Sequence, residues 1–204
     1  MKKKQLTKII STAIPLHMEN IDTDQIIPAR FLKATNKEGF GENLFRDWRF
    51  DMDGAAKPHF VLNNPIFKGE ILIAGYNFGC GSSREHAAWA LSQYGFNAVV
   101  SSFFADIFRN NALNNSLLPV QVTPEFLQKL FETVDADPSA IISIDIEKQT
   151  IGIDNKELVE HFDINPYKKV CIINGYDDVD YLASMRQKTE AFEKNRKNDF
   201  SITF

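Results

Sequence analysis

Residues Gly79-Cys80-Gly81-Ser82-Ser83-Arg84-Glu85-His86 concentrate two glycines, two serines and an arginine in one short stretch. Glycine lets the backbone approach a ligand closely and adopt dihedrals other residues resist. Hydroxyls supply donors and acceptors, and a guanidinium presents a planar fork suited to a carboxylate. The apolar run Ile71-Leu72-Ile73-Ala74 before the stretch reads as a strand, and Ala87-Ala88-Trp89-Ala90-Leu91 after it reads as a helix up to Gly95. The stretch is therefore a strand-to-helix turn. Ser82 and Glu85 have capping-box spacing, with Ser82 at the N-cap and Ser83 and Arg84 in the first turn. Backbone N–H groups beyond the cap are then free to face an anion, which a helix N-terminus favours. A cap needs only one of these side chains, so the whole set points to anion binding.

Nucleotide chemistry is weakly supported: Gly79-x-Gly81 lacks a third glycine and no Gly-Lys-Ser/Thr follows. Gly81-Ser82-Ser83-Arg84-Glu85 also departs from the Gly-x-Ser-x-Gly elbow of acyl-transfer hydrolases.

The elements that must position this turn fit one domain. The chain has 204 residues, 44% of them hydrophobic, and a net charge of −4. That length supports a substantial core, and that charge gives no general attraction to nucleic acid or anionic membrane. No stretch approaches the roughly 20 apolar residues of a membrane-crossing helix. The basic start Met1-Lys2-Lys3-Lys4 is followed by broken apolar character, a poor leader peptide, so a cytoplasmic location is expected. Residues 97–100, 141–146 and 169–174 read as strands, and 84–94, 103–114, 124–132 and 178–194 as helices, giving a mixed α/β reading. Residues 33–59 carry no sustained periodicity and read as a long loop, a kind of segment that is often functional in a compact domain.

Asn77-Phe78-Gly79-Cys80-Gly81-Ser82-Ser83-Arg84-Glu85-His86-Ala87 resembles the signature turn of the swivelling domain of the aconitase superfamily. Two further segments, Asn20-Ile21-Asp22-Thr23-Asp24-Gln25-Ile26-Ile27-Pro28-Ala29-Arg30-Phe31-Leu32 and Ser102-Phe103-Phe104-Ala105-Asp106-Ile107-Phe108-Arg109-Asn110-Asn111, resemble the small-subunit family of the 3-isopropylmalate dehydratases. With Gly175-Tyr176-Asp177-Asp178, the matches span most of the chain in family order.

The resemblance implies an α/β fold, a single swivelling β/β/α domain over residues 1–204, with 33–59 as a substrate-recognition loop and 178–204 as a C-terminal helix and tail. It implies a hydro-lyase of leucine biosynthesis that moves a hydroxyl between adjacent carbons of a branched malate. Ser82 then matches the catalytic base, Ser83 and Arg84 bind substrate carboxylates, and Asp24 matches an acidic active-site residue. Arg30 is the candidate second carboxylate contact. Read without the family, Asp24 is equally a turn or cap aspartate. A sister dehydratase acting on a homoaconitate or methylmalate, or a non-catalytic anion-binding subunit, are the alternatives.

The family's chemistry depends on a [4Fe–4S] cluster, which usually needs about four cysteine thiolates. The chain has only Cys80 and Cys171. No cofactor is therefore expected on this chain, and the cluster is expected on a large iron–sulfur subunit, its obligate partner, with a small diacid as substrate. A serine base also needs support. A helix N-terminus contributes roughly 0.3–1 kcal/mol, up to about 2 when partly buried. Since each pKa unit is worth about 1.4 kcal/mol, further donors, positive charge and exclusion of water must supply the rest.

The remaining polar groups read as structural. His86 is expected to pack, and His17, His59 and His161 lack ligand spacing. Asp177, Asp178 and Asp180 suit a helix start. Lys188 to Asn198 reads as a solvated helix or tail.

Overall fold

A computed structural model describes residues 4–32, 38–154 and 158–196. The chain opens with β1 (Lys8–Ser11) and β2 (Ala13–Leu16), which enter different sheets on either side of Thr12. A short α1 (Thr23–Ile26) and α2 (Arg46–Arg49) precede β3 (Ile71–Ala74). Then α3 (Glu85–Tyr94), β4 (Ala98–Ser101), α4 (Asp106–Asn114), β5 (Leu118–Gln121) and α5 (Pro124–Ala136) alternate. The antiparallel strands β6 (Ile142–Asp145), β7 (Thr150–Ile153) and β8 (Leu158–His161) follow, and α6 (Pro166–Asn174), α7 (Asp178–Ser184) and α8 (Arg186–Arg196) close the described chain.

One sheet is parallel, in order β2-β3-β4-β5, and the other antiparallel, in order β1-β6-β7-β8. The parallel strands are apolar at nearly every position because both of their faces are covered. Alternation along each strand divides them between two cores. Ile71, Ile73, Ala98 and Val100 pack with Ile9, Ile142, Ile144, Ile151 and α5 residues such as Phe126 and Leu130. Their neighbours Leu72, Ala74 and Val99 pack with Ala87 and Leu91 of α3 and with Phe104, Phe108 and Ala112. Two sheets, with α3 and α4 in one core and α5 in the core shared with the antiparallel sheet, form the expected α/β architecture.

Several elements differ from expectation. Residues 169–174 belong to helix α6, not a strand. Asn165 accepts from the N–H groups of Tyr167 and Lys168, Pro166 opens the helix, and Gly175 closes it at φ 65°. Those end signals outweigh the apolar run Val170 to Ile173, three of its four residues β-branched. Helix α4 begins at Asp106, not 103, because residues before it bridge to the turn that follows β3. The predicted helix 178–194 is two helices joined at Met185, and its start carries an Asp177/Asp180 capping box. The tail beyond Arg196 lies outside the described residues.

The predicted loop 33–59 is partly folded, although 33–37 fall outside the described residues. Gly41–Asn43 form a single 3₁₀ turn before α2, and Phe40, Leu44 and Phe45 are buried. Phe45 has φ 47°, and its N–H donates to Ile26 O at 2.8 Å, fastening the segment to α1. Scattered aromatic anchors without a helical or strand period fold this segment down, which periodicity cannot reveal.

Candidate functional site

Ligands in open parallel sheets bind beyond the carboxyl ends of the strands, and here the segments that leave β2, β3 and β4 interlock at that edge. Gly79 N and Cys80 N donate to Ile21 O at 2.8 and 3.2 Å, and Thr23 N donates back to Cys80 O at 2.9 Å. Phe78 N donates to Phe103 O at 3.0 Å, and Ala105 N to Phe78 O at 3.1 Å. The turn is thereby held from both sides. Gly79 sits at φ 76° with Phe108 so close that a Cβ would lie 2.2 Å from its ring, so only glycine fits.

Ser82 is not the helix cap. Arg84 occupies the N-cap position without a side-chain cap bond, and α3 starts at Glu85. The Glu85 carboxylate is turned toward Asn115 Nδ2 at 3.0 Å and Trp89 Nε1 at 3.4 Å, so it cannot close a capping box. The consequence favours the site: Ser82 and Ser83 are exposed. Among the described residues, the N–H groups of Gly81, Ser82, Ser83 and Arg84 find no protein acceptor.

Asp24 reaches the same place from α1. Asp22 caps that helix with a capping box to Gln25, which leaves the Asp24 side chain to accept from Ala29 N at 2.8 Å and from Arg84 Nη1. The Arg84 guanidinium, then the Ala29 N–H, holds the Asp24 carboxyl below the usual carboxylate range. Arg84 is mostly buried, and Nη1 also faces Ile27 O at 3.4 Å, while its remaining nitrogens have no partner among the described residues. The pair thus fixes one edge of the fork and leaves the other for an anion.

The structure brings Ser82, Ser83, Arg84 and Asp24 together. Arg30 lies on a neighbouring groove of about 410 Å³, shared with Asp22, Asp24 and Trp48, and its guanidinium is bound by Asp47, an exposed residue of α2. That pairing raises the Arg30 pKa and lowers that of Asp47. Asp47 carries no sequence signal, because it lies in the segment without sustained periodicity. Thr23 carries none either: it is a buried polar residue whose hydroxyl donates to Ser82 O at 2.8 Å. His86 packs against Phe40 and Trp89, with ring centroids 5.2 and 4.5 Å away.

Among the described residues, no group of three or more His, Cys, Asp and Glu side chains could hold a metal. Cys80 lies in the turn, where burial and then Asp22 push its thiol up, and Cys171 is buried in α6. This donor set does not fit an iron–sulfur cluster. No described helix is long and apolar enough to cross a membrane.

The profile of the Aconitase C-terminal domain family matches residues 3–125, which include every candidate site residue. The 3-isopropylmalate dehydratase small subunit of Christiangramia forsetii is 63% identical, over 94% of this chain and 93% of its own. That of Cytophaga hutchinsonii is 60% identical, over 93% and 94%. The crystal structure of 3-isopropylmalate dehydratase (leuD) from Methanocaldococcus jannaschii is similar with a TM-score of 0.64 and 27% identity, covering 90% of this chain and 98% of that one.

Proposed function

The chain belongs to the 3-isopropylmalate dehydratase small-subunit family, within the Aconitase C-terminal domain proteins, and on that footing we propose that Ser82 is the base of its hydro-lyase reaction. The reaction interconverts 2-isopropylmalate and 3-isopropylmalate in leucine biosynthesis by loss and re-addition of water. The observation that carries the assignment is the convergence of Ser82, Ser83, Arg84 and Asp24 at the carboxyl edge of the parallel sheet.

In this reading the Ser82 alkoxide takes the proton from the carbon beside a substrate carboxylate, and the hydroxyl returns it when water re-adds at the other carbon. Exposed backbone N–H groups of the turn and the Arg84 charge favour the alkoxide. Ser83 and the free edge of Arg84 hold a carboxylate, while Asp24 keeps the guanidinium oriented. Arg30, released from or shared with Asp47, is the second carboxylate contact. No residue of this chain is assigned to the departing hydroxyl.

A separate large subunit carries the [4Fe–4S] cluster and closes the site, because the two cysteines of this chain do not fit that group. The site's surroundings suit a protein partner: Tyr76 and Phe103 stack at 5.3 Å and stay exposed beside the turn, with Ile107 exposed nearby in sequence. Such an exposed aromatic pair is typical of contact surfaces.

The test is dehydratase activity on 3-isopropylmalate, citrate and 2-methylmalate under anaerobic conditions, with this chain alone and mixed with a cluster-loaded large subunit. Activity only in the mixture, highest on isopropylmalate, is expected. Preference for another diacid would move the chain to a sister enzyme, and activity of the chain alone would refute the two-subunit reading.

A further inference from the structure

Thr23 is a polar side chain with only 2% exposure, placed behind the turn that carries Ser82. It touches that turn twice, through its N–H to Cys80 O at 2.9 Å and through its hydroxyl to Ser82 O at 2.8 Å. These two carbonyls flank Gly81, which has φ 86° and no side chain to steady it.

A trans peptide sets its C=O and N–H in opposite directions, and no peptide described here is cis. Fixing the Cys80 carbonyl on Thr23 therefore turns the Gly81 N–H away from Thr23. Fixing the Ser82 carbonyl does the same to the Ser83 N–H. Neither N–H has a protein acceptor among the described residues. Burial keeps water from competing for the Thr23 hydroxyl, so both orientations are fixed before a ligand arrives.

We propose that Thr23 is a positioning residue that aims the N–H groups of Gly81 and Ser83 into the anion-binding side of the turn, where they stabilise the Ser82 alkoxide. The role rests on the reading of Ser82 as the base. Thr23 touches no substrate; it acts by orienting two peptide units, and through α1 it ties their orientation to Asp24, the next residue in the chain.

The experiment compares Thr23→Val, which keeps the shape and loses the hydroxyl, with Thr23→Ser, which keeps the hydroxyl, and with Ser82→Ala. All are assayed in the two-subunit enzyme with 3-isopropylmalate across a pH series. Removing one fixed oxyanion donor costs about 10²–10³ in kcat, and misaiming rather than removing donors predicts a loss of about tenfold or more in Thr23→Val. KM should stay within about twofold, and the basic shift of the rising pH limb should be about one unit, since tenfold is about one pKa unit. Thr23→Ser should recover most of both. A purely structural role would lower the active fraction and the melting temperature without moving the pH limb. If Thr23→Val does not fold, Thr23→Ala, which leaves room for a water, takes its place against Thr23→Ser. Unchanged kcat and pH profile in the hydroxyl-free variant, or Thr23→Ser as impaired as it, overturns the positioning role alone. Retained activity in Ser82→Ala overturns both the role and the base.

Discussion

Replacing Gly79 with alanine tests whether the turn is locked by packing or only by backbone preference. At φ 76° an alanine is in the left-handed region, and its Cβ would lie 2.2, 2.5 and 2.7 Å from Cγ, Cβ and Cδ2 of Phe108. Phe108 cannot step aside freely: it is 1% exposed, with the Phe78 ring 5.1 Å away and the Phe104 ring 6.2 Å away. Left-handed strain costs about 1–2 kcal/mol, partly offset by about 0.4–1 kcal/mol from a less free unfolded chain. Forcing a methyl group into a packed core adds about 1–3 kcal/mol. Gly79→Ala should therefore destabilise by about 1–5 kcal/mol, centred on about 3, or about 2–20 °C at the roughly 2–4 °C per kcal/mol of a chain this size. Gly95 is the control, with φ 119° and nothing within 4 Å of its missing Cβ, so Gly95→Ala carries strain alone, about 1 kcal/mol. Urea and thermal unfolding of the isolated chain measure both. If Gly79→Ala were no less stable than Gly95→Ala, the claim that Phe108 locks the turn would be refuted.

Gly81→Ala meets nothing closer than Asp22 Cβ at 3.4 Å, so its stability should resemble Gly95→Ala while activity of the assembled enzyme falls about tenfold or more, as the peptide units beside Ser82 turn. Ser82→Ala removes an exposed hydroxyl and should change stability by less than about 0.5 kcal/mol, but lower kcat by about 10²–10⁴; steady-state kinetics on the mixture decides. Arg84→Lys keeps the charge and loses the fork, and because a hydrogen bond to a charged group is worth about 1.5–3 kcal/mol, kcat/KM should drop by about 10–150-fold, chiefly through KM. Acid unfolding supplies a further check. The Lys148 N–H at 2.8 Å, then Lys8 at 3.2 Å, holds the mostly buried Asp145 carboxyl below its ordinary value. A carboxyl with a depressed folded pKa stabilises above about pH 4 and loses that contribution as pH falls through the folded value. Urea midpoints should therefore decline below about pH 4, and less steeply in Asp145→Asn; equal slopes would exclude Asp145 as a contributor.

The chemistry of the turn could be read in the sequence because residue type alone carried it: glycines, hydroxyls and a guanidinium between an apolar run and a helix former. Its geometry could not. Ser82 and Glu85 have the spacing of a capping box, but Asn115, thirty residues away, draws the Glu85 carboxylate aside. A local rule lost to a tertiary partner. The same holds for Thr23, whose importance comes from Ser82, 59 residues distant, and for Asp47, which meets Arg30 from α2, next to the buried anchors Leu44 and Phe45. Strands β3 and β4 were legible because both of their faces are buried and the apolar runs are continuous. In α6 the β-branched residues pointed to a strand, and the capping residues Asn165, Pro166 and Gly175 held the better information.

With Ser82 as the proposed base, its exposure gives a physical reason for the chain to need a partner. Two unit charges about 4 Å apart interact by about 1 kcal/mol when fully surrounded by water and about 4 kcal/mol at the effective dielectric of about 20 that suits protein sites, buried ones included. In units of about 1.4 kcal/mol per pKa step, a nearby guanidinium lowers a serine hydroxyl by less than one unit in open solvent and by about three in a covered site. Part of Arg84 is already committed to Asp24, which trims the effect further in the uncovered chain. On the proposed role of Ser82, the same residues in the same places would give a weak base when wet and a useful one when a partner excludes water. The proposed dependence on assembly thus rests on the electrostatics of this turn as well as on the two-cysteine count of the chain.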